Sequence, residues 1–140
     1  MSLSNVHKLE KAVILLLNSF DGWDLKHTGE SYSYYDAEGY TPKGRKCVIE
    51  MKFRKKYYET KMLEVEKYNR LMELPDDVVK IYFVSDPQGT YFFWLDGIEA
   101  LKSVEKYCPR TTMWDSRKKK KEVYLLTEDL ASYVHKTDST

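Results

Sequence analysis

Between residues 4 and 20, apolar side chains recur at helical spacing. Val6, Leu9, Val13, Leu16, Leu17 and Phe20 share one face. Ser4 or Asn5 is placed to cap that helix, and Asp21-Gly22 to stop it. From Trp23 to Tyr35 the chain is aromatic and rich in Ser and Thr, which predicts an extended segment. Asp36-Ala37-Glu38-Gly39 and Thr41-Pro42-Lys43-Gly44 carry turn chemistry. The clearest alternation follows in Arg45–Arg54, where Cys47, Ile49, Met51 and Phe53 oppose Val48, Glu50 and Lys52. A second helix is predicted over Tyr58–Leu74, with Tyr58, Met62, Val65, Tyr68 and Met72 on its apolar face and Pro75 ending it. Two strands, Val78–Ser85 and Thr90–Leu95, flank the hairpin turn Asp86-Pro87-Gln88-Gly89. Gly97–Tyr107 reads as helical, Glu122–Leu126 as a short strand and Thr127–His135 as a closing helix. The order helix, strands, helix, strands, helix predicts an α/β (α+β) domain with a central mixed sheet flanked by helices.

Length and composition narrow the picture. At 140 residues, 42% hydrophobic and 32% charged, the chain predicts a single globular domain spanning residues 1–140. Its two cysteines, Cys47 and Cys108, have neither disulfide nor metal spacing and read as ordinary thiols of a reducing compartment. No run approaches the roughly 20 apolar residues of a membrane helix, and the Ala12–Leu17 run has no cleavage site after it. A soluble cytoplasmic protein without membrane contact is expected. The net charge of +1 neither demands nor excludes nucleic acid. Its distribution says more: basic residues gather at Lys43–Lys46, Arg54–Lys56 and Arg117–Lys121, and such local patches can bind phosphates. A solvated surface is the equal alternative for Arg117–Lys121. His7, His27 and His135 make no zinc pair. The glycines form no phosphate-binding loop, and no Ser or Cys nucleophile motif is present.

The candidate chemistry lies on the alternating strand. Glu50 and Lys52 are two apart and share a face. That spacing alone is uninformative: about three acid-x-Lys matches are expected by chance, and Asp24-x-Lys26 and Glu59-x-Lys61 occur besides. Context selects Glu50. Its strand has an apolar side for a core, and Asp36 could reach the same face if residues 32–36 and 46–52 pair as antiparallel neighbours. Two converging carboxylates suit Mg²⁺, which is usually held by one or two carboxylates, waters and substrate phosphate. The backbone carbonyl of Met51 is a further oxygen donor. Glu10 falls inside the apolar stripe of the first helix, where a carboxylate is costly unless paired or metal-bound. It sits either at the rim of the helix or at the edge of the metal site. Lys61 lies within the predicted apolar face of the second helix, either snorkelling or reaching a phosphate.

Asp36 followed by Val48-Ile49-Glu50-Met51-Lys52 resembles the motif of the PD-(D/E)XK nuclease superfamily, which includes restriction endonucleases and resolvase-like nucleases. The likeness covers roughly residues 5–95. Tyr35 stands where a proline often precedes the acid, and Glu38 is the alternative to Asp36 as first ligand. The resemblance implies a restriction-endonuclease-like core and a metal-dependent endonuclease cleaving DNA, whether duplex, branched or single-stranded. Asp36, Glu50 and Lys52 would be catalytic, Mg²⁺ or Mn²⁺ the cofactor, Glu10 an additional ligand, and a homodimer the common assembly. Lys43, Arg45, Lys46, Arg54, Lys55, Lys56 and Lys61 are the expected nucleic-acid contacts. Tyr32, Tyr34, Tyr35, Tyr40, Tyr57 and Tyr58 could stack on bases, although packing across a sheet accounts for most such tyrosines. A non-catalytic nucleic-acid-binding module and a protein-interaction subunit using an exposed aromatic hairpin, Tyr82–Trp94, are the competing readings.

Overall fold

The computed structural model describes residues 3–29, 34–99, 101–109 and 118–137. The elements in chain order are α1 (Leu3–Phe20), β1 (Asp24–His27), β2 (Ala37–Tyr40), β3 (Lys46–Phe53), β4 (Thr60–Glu64), α2 (Val65–Met72), β5 (Val79–Asp86), β6 (Gly89–Trp94), β7 (Ser103–Pro109), β8 (Lys118–Thr127) and β9 (Tyr133–Lys136). Six strands form a sheet in the order β1-β2-β3-β5-β6-β9, and β4-β8-β7 form a second, three-stranded sheet. All pairs are antiparallel except β3–β5, which run parallel and make the large sheet mixed.

Alternation along the central strands divides the core in two. Cys47, Ile49 and Met51 of β3, with Ile81 and Phe83 of β5, face Ile14 of α1, and Val13 and Leu17 pack alongside. Val48, Tyr82, Val84 and Phe93 face the other way, onto Leu71 of α2 and Leu63 and Leu126 of the small sheet. Both faces of β3 and β5 are therefore covered, as a parallel pair requires. Each aliphatic side chain fully buried here contributes about 1.5–3 kcal/mol.

The edge strand β1 is fixed from two sides. The Asn18 side chain donates to the Leu25 carbonyl at 2.9 Å and accepts from the Leu25 N–H at 2.8 Å, so α1 is tied to β1 by a two-point amide clamp. Gly39 of β2, at φ +153°, lies so close to Asp24 that a Cβ there would collide with the Asp24 backbone carbonyl.

Several elements depart from the sequence expectation. Asp36–Gly39 is not a turn: Ala37–Tyr40 is strand β2, and Ala37 pairs with Ile49. The helix expected from Tyr58 begins only at Val65. Thr60–Glu64 is instead β4, held by β8, with Lys61 and Leu63 buried at period two. Gly97–Tyr107 is not helical, because Ser103 onward pairs with β8. The closing segment is a short 3₁₀ turn, Glu128–Leu130, followed by β9 against β6. On α1 the inward face is rotated from the expected stripe. Glu10 and Ile14 are buried, whereas Leu9, Leu16 and Phe20 are exposed. No helix among the described residues is long and apolar enough to cross a membrane.

Candidate active site

Glu50 stands in the middle of β3, on the face toward α2, and is 7% exposed. Asp36 immediately precedes β2. Its backbone N–H donates to the Ile49 carbonyl at 2.9 Å, and its Oδ2 accepts from the Met51 N–H at 2.8 Å. Backbone and side chain both lash Asp36 to β3, which brings it beside Glu50. The two carboxylates face one cavity of about 260 Å³, with Lys67 and Arg70 of α2 on its wall. Burial, then the Asp36 charge, pushes the Glu50 carboxyl up to about 7, although Lys67 and Lys52 pull the other way. Burial also raises the Asp36 carboxyl, offset by the Met51 N–H and by Lys67 and His27.

Glu10 approaches from α1. It is 3% exposed and pairs with His27 Nε2 at 2.7 Å. Burial raises its carboxyl, the His27 hydrogen bond lowers it, and the neighbouring Asp36 raises it again. The Glu10 and Asp36 carboxyls are thus close enough for the charge of one to act on the other. Gly29 closes over this pair: a Cβ there would stand 2.7 Å from Glu10 Oε1 and 2.9 Å from His27 Nε2. Among the described residues, no group of three or more His, Cys, Asp or Glu is placed to hold a metal ion.

Lys52 shares the β3 face with Glu50, and burial, then Arg54 and Lys67, lowers its ammonium. The ion pair of Glu50 is made instead by Lys67, at 3.4 Å. Burial opposes charge on Lys67, but Glu50, Glu64 and Asp36 together hold its pKa above the ordinary value. Arg70 stacks its guanidinium 4.8 Å over the Tyr34 ring and pairs with Glu66 at 2.7 Å. Sequence reasoning missed Lys67, Arg70 and His27. Lys67 and Arg70 lie three apart on one helix face, a signal hidden when the helix is begun seven residues early.

Other expected residues fall elsewhere. Met51 enters the site through its N–H, to Asp36. Lys61 is on β4, not on a helix. It is 3% exposed, and its ammonium donates to the Tyr58 carbonyl, Asp86 and Glu128. The Tyr57 and Tyr91 rings lie 4.3 and 4.2 Å away. This surrounding replaces the expected phosphate contact with an internal one. Lys43, Arg45 and Lys46 are exposed at the β2–β3 turn, whereas Arg54, Lys55 and Lys56 follow the opposite end of β3. The six therefore do not form one patch. Glu38 accepts from the Tyr35 hydroxyl at 3.0 Å, while Asp36 is the acid on the cavity that Glu50 lines. Tyr32 and Arg117 lie outside the described residues. Cys47 is buried, and burial pushes its thiol up to about 11, which suits an inert packing role. The hairpin aromatics Tyr82, Phe83, Tyr91, Phe92 and Phe93 are all buried, contrary to an exposed aromatic hairpin.

No protein-family model matches the chain, and no curated protein matches it. Among solved structures, the fold is similar to that of Hjc, a Holliday junction resolvase from the archaeal hyperthermophile Archaeoglobus fulgidus. The TM-score is 0.59 at 13% sequence identity, over 92% of this chain and 88% of that one. The likeness establishes a shared fold: a mixed sheet flanked by helices, in the manner of a restriction-endonuclease-like core.

Proposed function

We propose that the chain is a divalent-metal-dependent nuclease that hydrolyses phosphodiester bonds in DNA, as an endonuclease. One observation carries the reading. Asp36, just before β2, and Glu50, on β3, face one small cavity with both carboxyls raised by burial and Lys67 and Arg70 beside them. Acids perturbed by burial and by each other in a cleft are the kind of group that clusters at functional sites.

The donor set fits Mg²⁺ or Mn²⁺. Both are oxygen-seeking, and Mg²⁺ needs few protein ligands because waters and substrate phosphate complete its shell. Asp36 and Glu50 would hold the ion, with Glu10 and the Met51 carbonyl as further oxygen donors. When bound, it neutralises phosphoryl charge and lowers the pKa of a water. The remaining work belongs to the chain. The Met51 N–H fixes the Asp36 carboxylate, and His27 fixes Glu10. Lys52, its pKa lowered by burial, would orient the attacking water and stabilise charge on the pentavalent phosphoryl oxygens. Lys67 and Arg70 take the non-bridging phosphate oxygens, with Tyr34 bracing the guanidinium.

The structural neighbour is a Holliday junction resolvase, so a four-way junction is the first substrate to test. A homodimer would offer such a junction two equivalent pockets. The decisive measurement is cleavage of junction and plasmid DNA with Mg²⁺ or Mn²⁺, with EDTA, and with Glu50→Gln. Metal-dependent cleavage lost in Glu50→Gln is expected. Cleavage that survives the substitution would sink the site assignment. The missing third ligand among the described residues favours a second reading, a nucleic-acid-binding module of the same fold. Tight junction binding without cleavage by any metal would establish that one instead.

A further inference from the structure

A second cavity, of about 510 Å³, opens at the turn that joins β2 to β3. Its walls are aromatic: Trp23, Phe92 and Trp94, with Tyr133 from β9. Lys43 and Arg45, from the turn itself, also line it. It is separate from the acid pocket. Arg45 lies five residues before Glu50, roughly 16 Å along a strand. The two also occupy opposite faces of the sheet. Phe92 and Trp94 pair with Phe83 and Ile81, whose side chains belong to the core under α1, whereas Glu50 pairs with Tyr82 on the α2 side.

Trp23 and Phe92 belong to the core under α1 and form the cavity's base, whereas half-buried Trp94 and exposed Tyr133 are the rings that open onto it. Trp23 and Phe92 stack at 5.9 Å with 23° between their planes, and Trp94 is tilted 54° to Trp23 at 6.0 Å. Tyr133 stands edge-on to Phe92 at 5.8 Å and is 56% exposed. The indole N–H of buried Trp23 donates to Asp21 at 3.2 Å, so the accessible ring surface is that of Trp94 and Tyr133. Lys43 and Arg45 are exposed, and neither makes an ion pair among the described residues. Two unpaired cations beside an aromatic floor complement a flat π-system that carries phosphate. Aromatic rings hold a base by its face, and adjacent basic side chains hold its backbone. A base within a duplex has its faces occupied by neighbours and cannot enter.

We propose that this cavity binds the base of an unpaired nucleotide, with the flanking phosphates on Lys43 and Arg45. The inference rests on the nucleic-acid part of the function proposed above and not on cleavage. The test therefore uses full-length Glu50→Gln protein. Tryptophan fluorescence is titrated with a short oligothymidylate and with a blunt duplex of equal charge. The oligothymidylate is expected to quench, and Trp94→Phe to reduce that quenching. Replacing both Lys43 and Arg45 with Ala, at exposed positions that leave the fold intact, is expected to weaken binding at least tenfold. It should also reduce the slope of log affinity against log salt by about 1.4, two contacts at about 0.7 each. Quenching by the duplex equal to that by the single strand, or binding indifferent to both cations, would overturn the proposal. So would an absence of quenching with self-association lost in Trp94→Ala, which would assign this face to a second copy. Wild-type junction cleavage without oligothymidylate binding would defeat this inference alone. Oligothymidylate binding without cleavage by any metal would defeat the nuclease reading alone.

Discussion

Lys61 on β4 and Lys67 on α2 each meet buried carboxylates, yet the two clusters settle their charges in opposite ways. Around Lys61 the acids are answered. Asp86 and Glu128 accept its protons, Lys136 adds a second cation to Glu128 at 2.8 Å, and Tyr57 donates as well. Although burial works the other way, these hydrogen bonds pull the Glu128 carboxyl down to about 2. Around Lys67 each acid has a partner, yet burial prevails over the pairing. Glu50, Asp36 and Glu10 crowd together with carboxyls raised by burial. The first cluster spends its charge on holding β4, β5 and the closing segment together. The second keeps its acids perturbed in a cleft, the environment in which functional groups cluster.

Four measurements would break or sharpen that contrast. The largest effect is expected on cleavage, where Glu50→Gln should reduce activity to background while the protein remains folded by circular dichroism. Next, Lys61→Met should destabilise the fold by about 3–5 kcal/mol, because it strands the buried Asp86 carboxylate without its partner. Urea unfolding checks this, and DNA binding should be unchanged. A Lys61→Met protein of normal stability would show that its cluster is no anchor.

The third test is pH. The Glu50 carboxyl titrates near 7 when folded, above its ordinary 4.5. The folded state therefore binds the extra proton between these values, and stability should fall as pH rises through that window, by on the order of 3 kcal/mol. The Glu128 carboxyl is shifted down, so its contribution is present above about 4.5 and fades as pH falls toward 2. Unfolding midpoints should peak at mildly acidic pH, and Glu50→Gln should flatten only the alkaline limb. The smallest effect belongs to Lys67→Gln. Removing the cation should weaken substrate affinity about tenfold, near 1.4 kcal/mol, and carry the Glu50 titration higher still. Unchanged affinity would remove Lys67 from the phosphate site.

The parts of this architecture that could be read from the chain are those whose signal is local. The alternation of Cys47–Phe53, the Asp86–Gly89 turn and the apolar run ending at Phe20 each depend on neighbours in sequence, and each formed where expected, although α1 begins at Leu3 and so has Ser4 and Asn5 inside it and not as its cap. β4, β7 and β9 depend on distant partners. Thr60 pairs with Thr127 and Tyr91 with Val134, so short segments with mixed periodicity become strands only because β8 and β6 hold them. The same split governs the site. Glu50 was visible on its strand, and Glu10 was visible as an acid in an apolar stripe. Asp36 beside Glu50 followed from an antiparallel pairing that does occur, shifted to residues 37–40. Lys67 was invisible because its helix starts where β4 ends. The exposed Leu9, Leu16 and Phe20 show the limit of periodicity, which finds an apolar face without saying how much of it the sheet can cover.

Gly29 and Gly39 are both barred from carrying a side chain, but by different neighbours. At position 39 the obstacle is main chain, so a substitution there attacks the strand pairing itself. At position 29 the obstacles are the far ends of two flexible side chains, Glu10 and His27. Those can swing aside at little cost to folding. Mutational tolerance should therefore divide at these two positions. A library at 39 would be culled by loss of soluble protein, whereas a library at 29 would pass that screen and, on the proposed function, fail only when scored for DNA cleavage. Position 29 is thus a place where sequence drift could silence this protein while leaving its architecture untouched, the route by which an enzyme lineage gives rise to descendants that keep the shape and lose the reaction.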